Sequence, residues 1–249
     1  MQESKIIRKG LLSLFCTENK VEIYWQDKLI TSEIGLDTLF RCGEKSYRAQ
    51  DGSWNIRKDN DNQISITISW NDNPGFIQIW RLILKDDNTF FWEIDMTISD
   101  KIKIRNKQVE LILSQEYKKW FTQDEKGDFS RLSRQGNTVI LNKYINNCMG
   151  VSCANDNGFF MPELLFNRDG SFSAASYISK IAAKEAVIKL RYLEIDRKEN
   201  FYSIPGTYKY FNGELKVGLS KEIASCSIKV STKNTAEIKY NKTSLIFYN

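Results

Sequence analysis

Residues 64–98 alternate. They read ISITISW, then NDNPG, then FIQIWRLIL, then KDDNT, then FFWEIDMTI. Successive side chains of a strand point to opposite faces, so near-strict alternation gives each run one apolar and one polar face. In the last run Phe90, Trp92, Ile94, Met96 and Ile98 share one face, while Phe91, Glu93, Asp95 and Thr97 share the other. Connections this short can join antiparallel neighbours but not parallel ones. The block therefore predicts antiparallel β structure and sets two carboxylates beside an aromatic ring on one sheet surface.

The rest of the chain keeps this rhythm. Turn signals recur at short spacing, among them Cys42-Gly43, Asp51-Gly52, Asp86 to Asn88, Gln135-Gly136-Asn137, Asp169-Gly170 and Asn212-Gly213. Many short strands with frequent turns read as a sandwich or barrel, and 249 residues suffice for one large core. The predicted class is all-β, a large antiparallel two-sheet β-sandwich spanning residues 1–218. Residues 219–249 read as additional C-terminal strands packed on the same domain. Only 116–122 and 176–186 have the composition that could hold a short helix, the second overlapping a strand read at 172–178, and a hairpin is expected at Asn212-Gly213.

Composition removes several function classes. The 36 basic and 31 acidic residues are interspersed, and a net charge of +5 with no dense basic block predicts no nucleic-acid partner. The apolar stretches are too short for a spanning helix, so no membrane insertion is expected. The N-terminal run lacks the long apolar region of a signal peptide. Five cysteines at irregular spacing, without a CxxC pair, fit reduced thiols and a cytoplasmic location. GxGxxG and GxxxxGK[ST] are both missing. The acids at 59–62 read as a solvated turn. Histidine is absent, which removes Ser-His-Asp triads, Cys-His dyads and His-based metal sites. No cofactor and no metal site are expected.

Several charged and aromatic residues stand out as ligand-binding candidates, and none as a catalytic residue. Arg81 interrupts an apolar run, with Glu93 and Asp95 on the next strand as natural partners at cross-strand distance. They form either a sugar-facing cluster or a solvated salt bridge. Glu110 and Glu116 flank Tyr117 and Trp120, which would serve as stacking platforms or as core. Trp54 follows the Asp51-Gly52 turn near Arg57 and is either a loop ligand contact or a core anchor. Glu163 is another acid beside aromatics. Glu185 and Glu194 are less definitely placed; a pair of acids at suitable separation could hydrolyse a glycosidic bond, though nothing in the sequence fixes any separation.

The quoted runs, with VEIYWQDKLITSEIGLDTLF, DGSWNI, QVELILSQEYKKW and FYSIPGTYKYFNGELKV, resemble the galactose mutarotase-like supersandwich superfamily over about residues 6–217. The resemblance is nearest to modules that accompany bacterial surface-carbohydrate and polysaccharide-processing proteins. It implies two large antiparallel sheets packed face to face, with sugar on the concave face of one. Catalytic mutarotases pair a His acid with a carboxylate base, and this chain has no His. The resemblance thus implies a carbohydrate-recognition or accessory domain more than an enzyme. An epimerase- or lyase-type enzyme and a ligand-free interaction sandwich are the alternatives. A larger parent protein or a homo-oligomer is the expected setting.

Overall fold

A computed structural model describes residues 4–122, 125–129, 134–135, 138–144, 148–153, 161–169, 174–181, 187–194, 202–218, 235–240 and 243–248. In chain order the first strands are β1 (Lys5–Lys9), β2 (Leu12–Thr17), β3 (Lys20–Trp25), β4 (Lys28–Leu29), β5 (Thr31–Cys42), β6 (Lys45–Arg48), β7 (Ser53–Asn60) and β8 (Gln63–Trp70). Next come β9 (Asn73–Leu84), β10 (Thr89–Ile98), β11 (Ile102–Leu113), β12 (Lys119–Thr122), β13 (Lys126–Asp128), β14 (Arg134–Gln135), β15 (Thr138–Tyr144) and β16 (Cys148–Ser152). The last are β17 (Glu163–Arg168), β18 (Ala174–Ile181), β19 (Val187–Glu194), β20 (Tyr202–Ser203), β21 (Gly206–Gly218), β22 (Thr235–Tyr240) and β23 (Thr243–Tyr248).

These form two large sheets. The 12-stranded sheet runs β1-β2-β3-β5-β11-β19-β18-β15-β14, with β4 beside β3, β6 beside β5 and β20 beside β11. The 9-stranded sheet runs β13-β12-β16-β17-β21-β10-β9-β8-β7. Strands β22 and β23 pair with each other as a separate hairpin. The pairings are antiparallel, save one parallel contact between Val21 of β3 and Gly35 of β5 that joins two parts of the larger sheet. Gly35 has φ +72, and a Cβ there would lie 1.6 Å from the Val21 carbonyl oxygen. Only glycine permits that approach.

The alternation of the sequence becomes the core. Ile64, Ile66, Ile68, Phe76, Trp80, Leu82, Phe90, Trp92 and Ile94 are buried on the inner face of the smaller sheet. Rings line up across it: Trp54–Trp80 at 5.3 Å, Trp80–Trp92 at 5.0 Å, Trp92–Phe211 at 5.4 Å and Phe166–Tyr192 at 5.0 Å. Aromatic pairs at this spacing contribute roughly 0.5–1.5 kcal/mol each beyond the area they bury. Hydrogen bonds tie the sheets across this layer. Thr38 Oγ1 donates to Gln78 Oε1 at 2.8 Å, and Tyr192 donates to the Phe166 carbonyl at 2.7 Å. Tyr210 donates to the Leu39 carbonyl at 2.9 Å and accepts from the Gln108 N–H at 3.2 Å.

Three expectations are corrected. Asn212-Gly213 is not a hairpin, because β21 runs through it unbroken. Gly213 pairs with Trp92 on one side and Arg168 on the other, and a Cβ there would come within 2.5 Å of the Phe211 ring and 2.6 Å of the Asn167 carbonyl. The glycine answers to close packing, not to a turn. Residues 116–122 form a turn followed by strand β12 instead of a helix. Ala174–Ile181 is strand β18, paired along its length with β19, so tertiary pairing overrides its helix formers. Residues 182–186, with Glu185, lie outside the described residues, as does Cys226. The alternation signal also misses the short strands β1, β6, β12, β13, β14 and β20.

Candidate functional site

The first predicted cluster lies on the outer face of the smaller sheet. Arg81 and Glu93 are register partners on β9 and β10. Arg81 nevertheless bonds diagonally, donating from Nη1 to Asp95 Oδ2 at 2.6 Å, with Glu93 Oε2 farther off at 3.8 Å. Lys209 of β21 approaches Asp95 Oδ1 at 2.8 Å. Burial works to raise the Asp95 carboxyl, but Lys209 and Arg81 outweigh it and hold the group below the usual range. The carboxylate thus has a cation at each oxygen. The predicted pairing is present, in the form of a cross-strand ion network on a half-exposed face.

The second cluster is built around one predicted residue, Glu110, and four that the sequence reading missed. Glu110 of β11 stands opposite Asp37 of β5 on one side and Arg191 of β19 on the other. All three project from the outer face of the larger sheet, because their neighbours Leu36, Leu111, Leu190 and Tyr192 fill the core. Lys189 Nζ donates to Glu110 Oε2 at 3.0 Å. Arg191 Nε lies 2.7 Å from Glu110 Oε1 as an ion pair, out of line for a hydrogen bond. Arg48 of β6 donates to Asp37 Oδ2 at 2.5 Å and sits 3.7 Å from Glu110 Oε2. The Thr38 N–H donates to Asp37 Oδ1 at 2.9 Å.

Their electrostatics differ in an informative way. Both carboxylates are sealed, Asp37 with its side chain 0% exposed and Glu110 1%, whereas Arg48 and Arg191 keep 33% and 31%. Burial pushes the Asp37 carboxyl up to about 7; Arg48 pulls it down and the charge of Glu110 adds to the rise. Burial also raises Glu110, but Arg191, Lys189 and Arg48 outweigh it and hold that group below the usual range. The outer surface of the cluster is thus formed by the partly exposed Arg48 and Arg191 side chains, with the acids beneath them.

The remaining candidates fall elsewhere. Tyr117 is fully buried and Trp120 nearly so, both within the core, which leaves no open ring face for a ligand. Trp54 is buried and donates from Nε1 to the Ala49 carbonyl at 2.7 Å, as a strand anchor would. Arg57 pairs with Asp59 on the surface. Glu116 is exposed and pairs with Lys28 at 3.0 Å. Glu163 opens β17 opposite Gly218. Glu194 pairs with Lys107 at 2.9 Å. Asp37, Arg48, Lys189 and Arg191 carried one sequence signal: three of them are charges set inside otherwise apolar runs, EIGLDTLF and VIKLRYL, just as Arg81 is. Among the described residues no group of three or more His, Cys, Asp or Glu side chains is placed to hold a metal ion, and no helix is long and apolar enough to cross a membrane.

No protein-family model and no curated protein matches this chain in sequence. Solved structures do match in shape. A protein from Escherichia coli K12 assigned as an aldose 1-epimerase superposes with TM-score 0.60 at 8% identity, covering 87% of this chain and 99% of that one. A GH36 α-galactosidase from Geobacillus stearothermophilus superposes with TM-score 0.56 at 6% identity, covering 87% of this chain but 40% of that one. An α-galactosidase from Lactobacillus brevis gives 0.55 at 7% identity, covering 87% and 39%. Identities this low speak to architecture alone. Two large antiparallel sheets, stacked through an aromatic core and matched along the full length of the E. coli protein, give this chain the galactose mutarotase-like β-sandwich fold.

Proposed function

We propose that this chain is a non-catalytic carbohydrate-binding or accessory domain serving glycan or polysaccharide processing, and that sugar docks on the outer face of the larger sheet against Arg48, Lys189 and Arg191. One observation carries the reading: the two carboxylates of the cluster are sealed, while the side chains of Arg48 and Arg191 beside them stay about one-third exposed. Charged donors hydrogen-bond strongly to hydroxyl or carboxylate oxygens, about 1.5–3 kcal/mol per bond. A general base must reach the proton it abstracts. Glu110 has its oxygens occupied by cations and is held ionised, which suits a role in positioning them. The carbohydrate-related neighbours in fold space support the same class. Isothermal titration with neutral and acidic monosaccharides tests it. Binding is expected, and Arg48→Met or Arg191→Met should weaken it about tenfold or more. A folded protein that binds no sugar at millimolar concentration sinks the proposal.

One observation favours a second reading, an epimerase-type enzyme. Asp37 sits near 7 beside an ionised Glu110, and paired carboxylates pushed apart are how acid and base roles are divided. Exchange NMR of the anomers of galactose and glucose separates the two readings. Protein-dependent exchange that Asp37→Asn abolishes would establish the enzyme.

A further inference from the structure

A pocket of about 30 Å³ opens between the two sheets, away from the Asp37–Glu110 cluster. Its walls include Lys107, Arg168, Tyr192, Glu194, Tyr210 and Asn212. Arg168, the last residue of β17, is the unusual member. It is 8% exposed, yet its Nε has no hydrogen-bond partner and its Nη1 makes one long bond, 3.5 Å, to the Asp169 carbonyl. Its guanidinium lies 5.7 Å from the centre of the Tyr192 ring. Two acids line the pocket: Asp169, next to Arg168 in the chain and giving it only its carbonyl as a hydrogen-bond acceptor, and Glu194, which is engaged by Lys107 at 2.9 Å.

A buried guanidinium with open donors is costly. Arginine presents five N–H groups in a planar fork, and burial without acceptors forfeits their hydration. The Tyr192 ring offsets part of this by a cation–π contact, but a ring accepts none of the in-plane hydrogen bonds. The fork matches a planar carboxylate, which accepts two parallel bonds. The pocket has room for roughly two water molecules, which suits the two oxygens of one carboxylate better than a bulkier group.

We propose that this pocket recognises a single carboxylate on a small ligand, with Arg168 as its bidentate partner and Tyr192 as the platform that holds the guanidinium flat. The site is separate from the proposed sugar face, so either can fail without the other. Two ligand sources share this chemistry, a sugar acid and a simple organic acid.

The test titrates the full chain with sodium D-glucuronate, sodium acetate, D-glucose and sodium chloride at matched ionic strength, read by calorimetry and thermal melting. Saturable binding of a carboxylate, with no response to glucose or chloride, is expected. Response to glucuronate and acetate alike assigns an organic-acid site, and response to glucuronate alone assigns a sugar-acid site. Arg168→Lys keeps the charge and loses the fork, and it should weaken binding at least tenfold. Hydrogen-exchange mass spectrometry of the wild-type chain serves where that variant does not fold. Slowed exchange confined to peptides containing Arg168 and Asn212 supports the site. No saturable response, an equal response to chloride, slowing confined to other regions, or unchanged binding by Arg168→Lys overturns the proposal.

Discussion

Asp37 and Glu110 face each other across β5 and β11, two buried carboxylates in direct register on the outer face of one sheet. Like charges directly opposite on neighbouring strands destabilise a sheet. The protein meets that cost in two ways. It surrounds Glu110 with three cations and leaves Asp37 with a single close one, Arg48, so that Glu110 stays ionised while Asp37 shifts upward. The relation between these two acids sets most of the chemistry available at this face.

Stability should depend on pH through Asp37. A carboxyl whose folded value lies near 7 binds its proton more tightly than in the unfolded chain. The folded state therefore holds more protons between about 4 and about 7, and stability falls as pH rises across that window. The ceiling of the effect is about 4 kcal/mol, at ~1.4 kcal/mol per pH unit. Glu110 has the opposite sign, since its value is lowered: its contribution is present above the ordinary carboxylate value and is lost as pH falls through the folded one. Urea unfolding midpoints from pH 4 to 8 should decline for the wild type. Asp37→Asn should remove most of that decline. An identical slope in both proteins would show that Asp37 titrates normally.

Removing Glu110 should be expensive. Glu110→Gln leaves Lys189 and Arg191 without their shared anion, and breaking a buried pair by deleting one partner costs about 3–5 kcal/mol. The expected loss is at the low end, on the order of 3 kcal/mol, because Arg191 retains solvent contact. Denaturant titration measures it. A loss below ~1 kcal/mol, the range of exposed pairs, would mean that the cluster is effectively solvated.

The Arg81 network should behave differently. Its members lie on a half-exposed face, Arg81 with its side chain 34% exposed and Lys209 with 42%. Pairs of this kind contribute about 0.2–1 kcal/mol, and salt screens them. Arg81→Met should change stability by less than about 1 kcal/mol and leave sugar titrations unchanged. Weakened sugar binding in Arg81→Met with an intact fold would move the sugar site to the smaller sheet.

Gly35→Ala should be among the most damaging single changes. The methyl group would overlap the Val21 carbonyl, and the positive φ disfavours any L side chain. Thermal melting should show a loss of several kelvin or more, or failure to fold. A neutral result would mean that the β3–β5 junction can shift to admit a Cβ.

The sequence alone determined the class of fold, the inward set of apolar residues in 64–98 and the pairing of Arg81 with the acids of the next strand. These are local properties. A strand's period of two assigns each side chain to a face, and a short turn places neighbouring strands side by side. The absence of His likewise needed no structure. Only the tertiary structure decided that Tyr117 and Trp120 belong to the core, that Asn212-Gly213 continues a strand, and that Glu110 meets Asp37, Arg48, Lys189 and Arg191. Those outcomes depend on which strands become neighbours and in what register. Glu110 and Arg191 are far apart in the chain yet opposite each other in the sheet, a proximity set by long-range pairing and not by any local pattern.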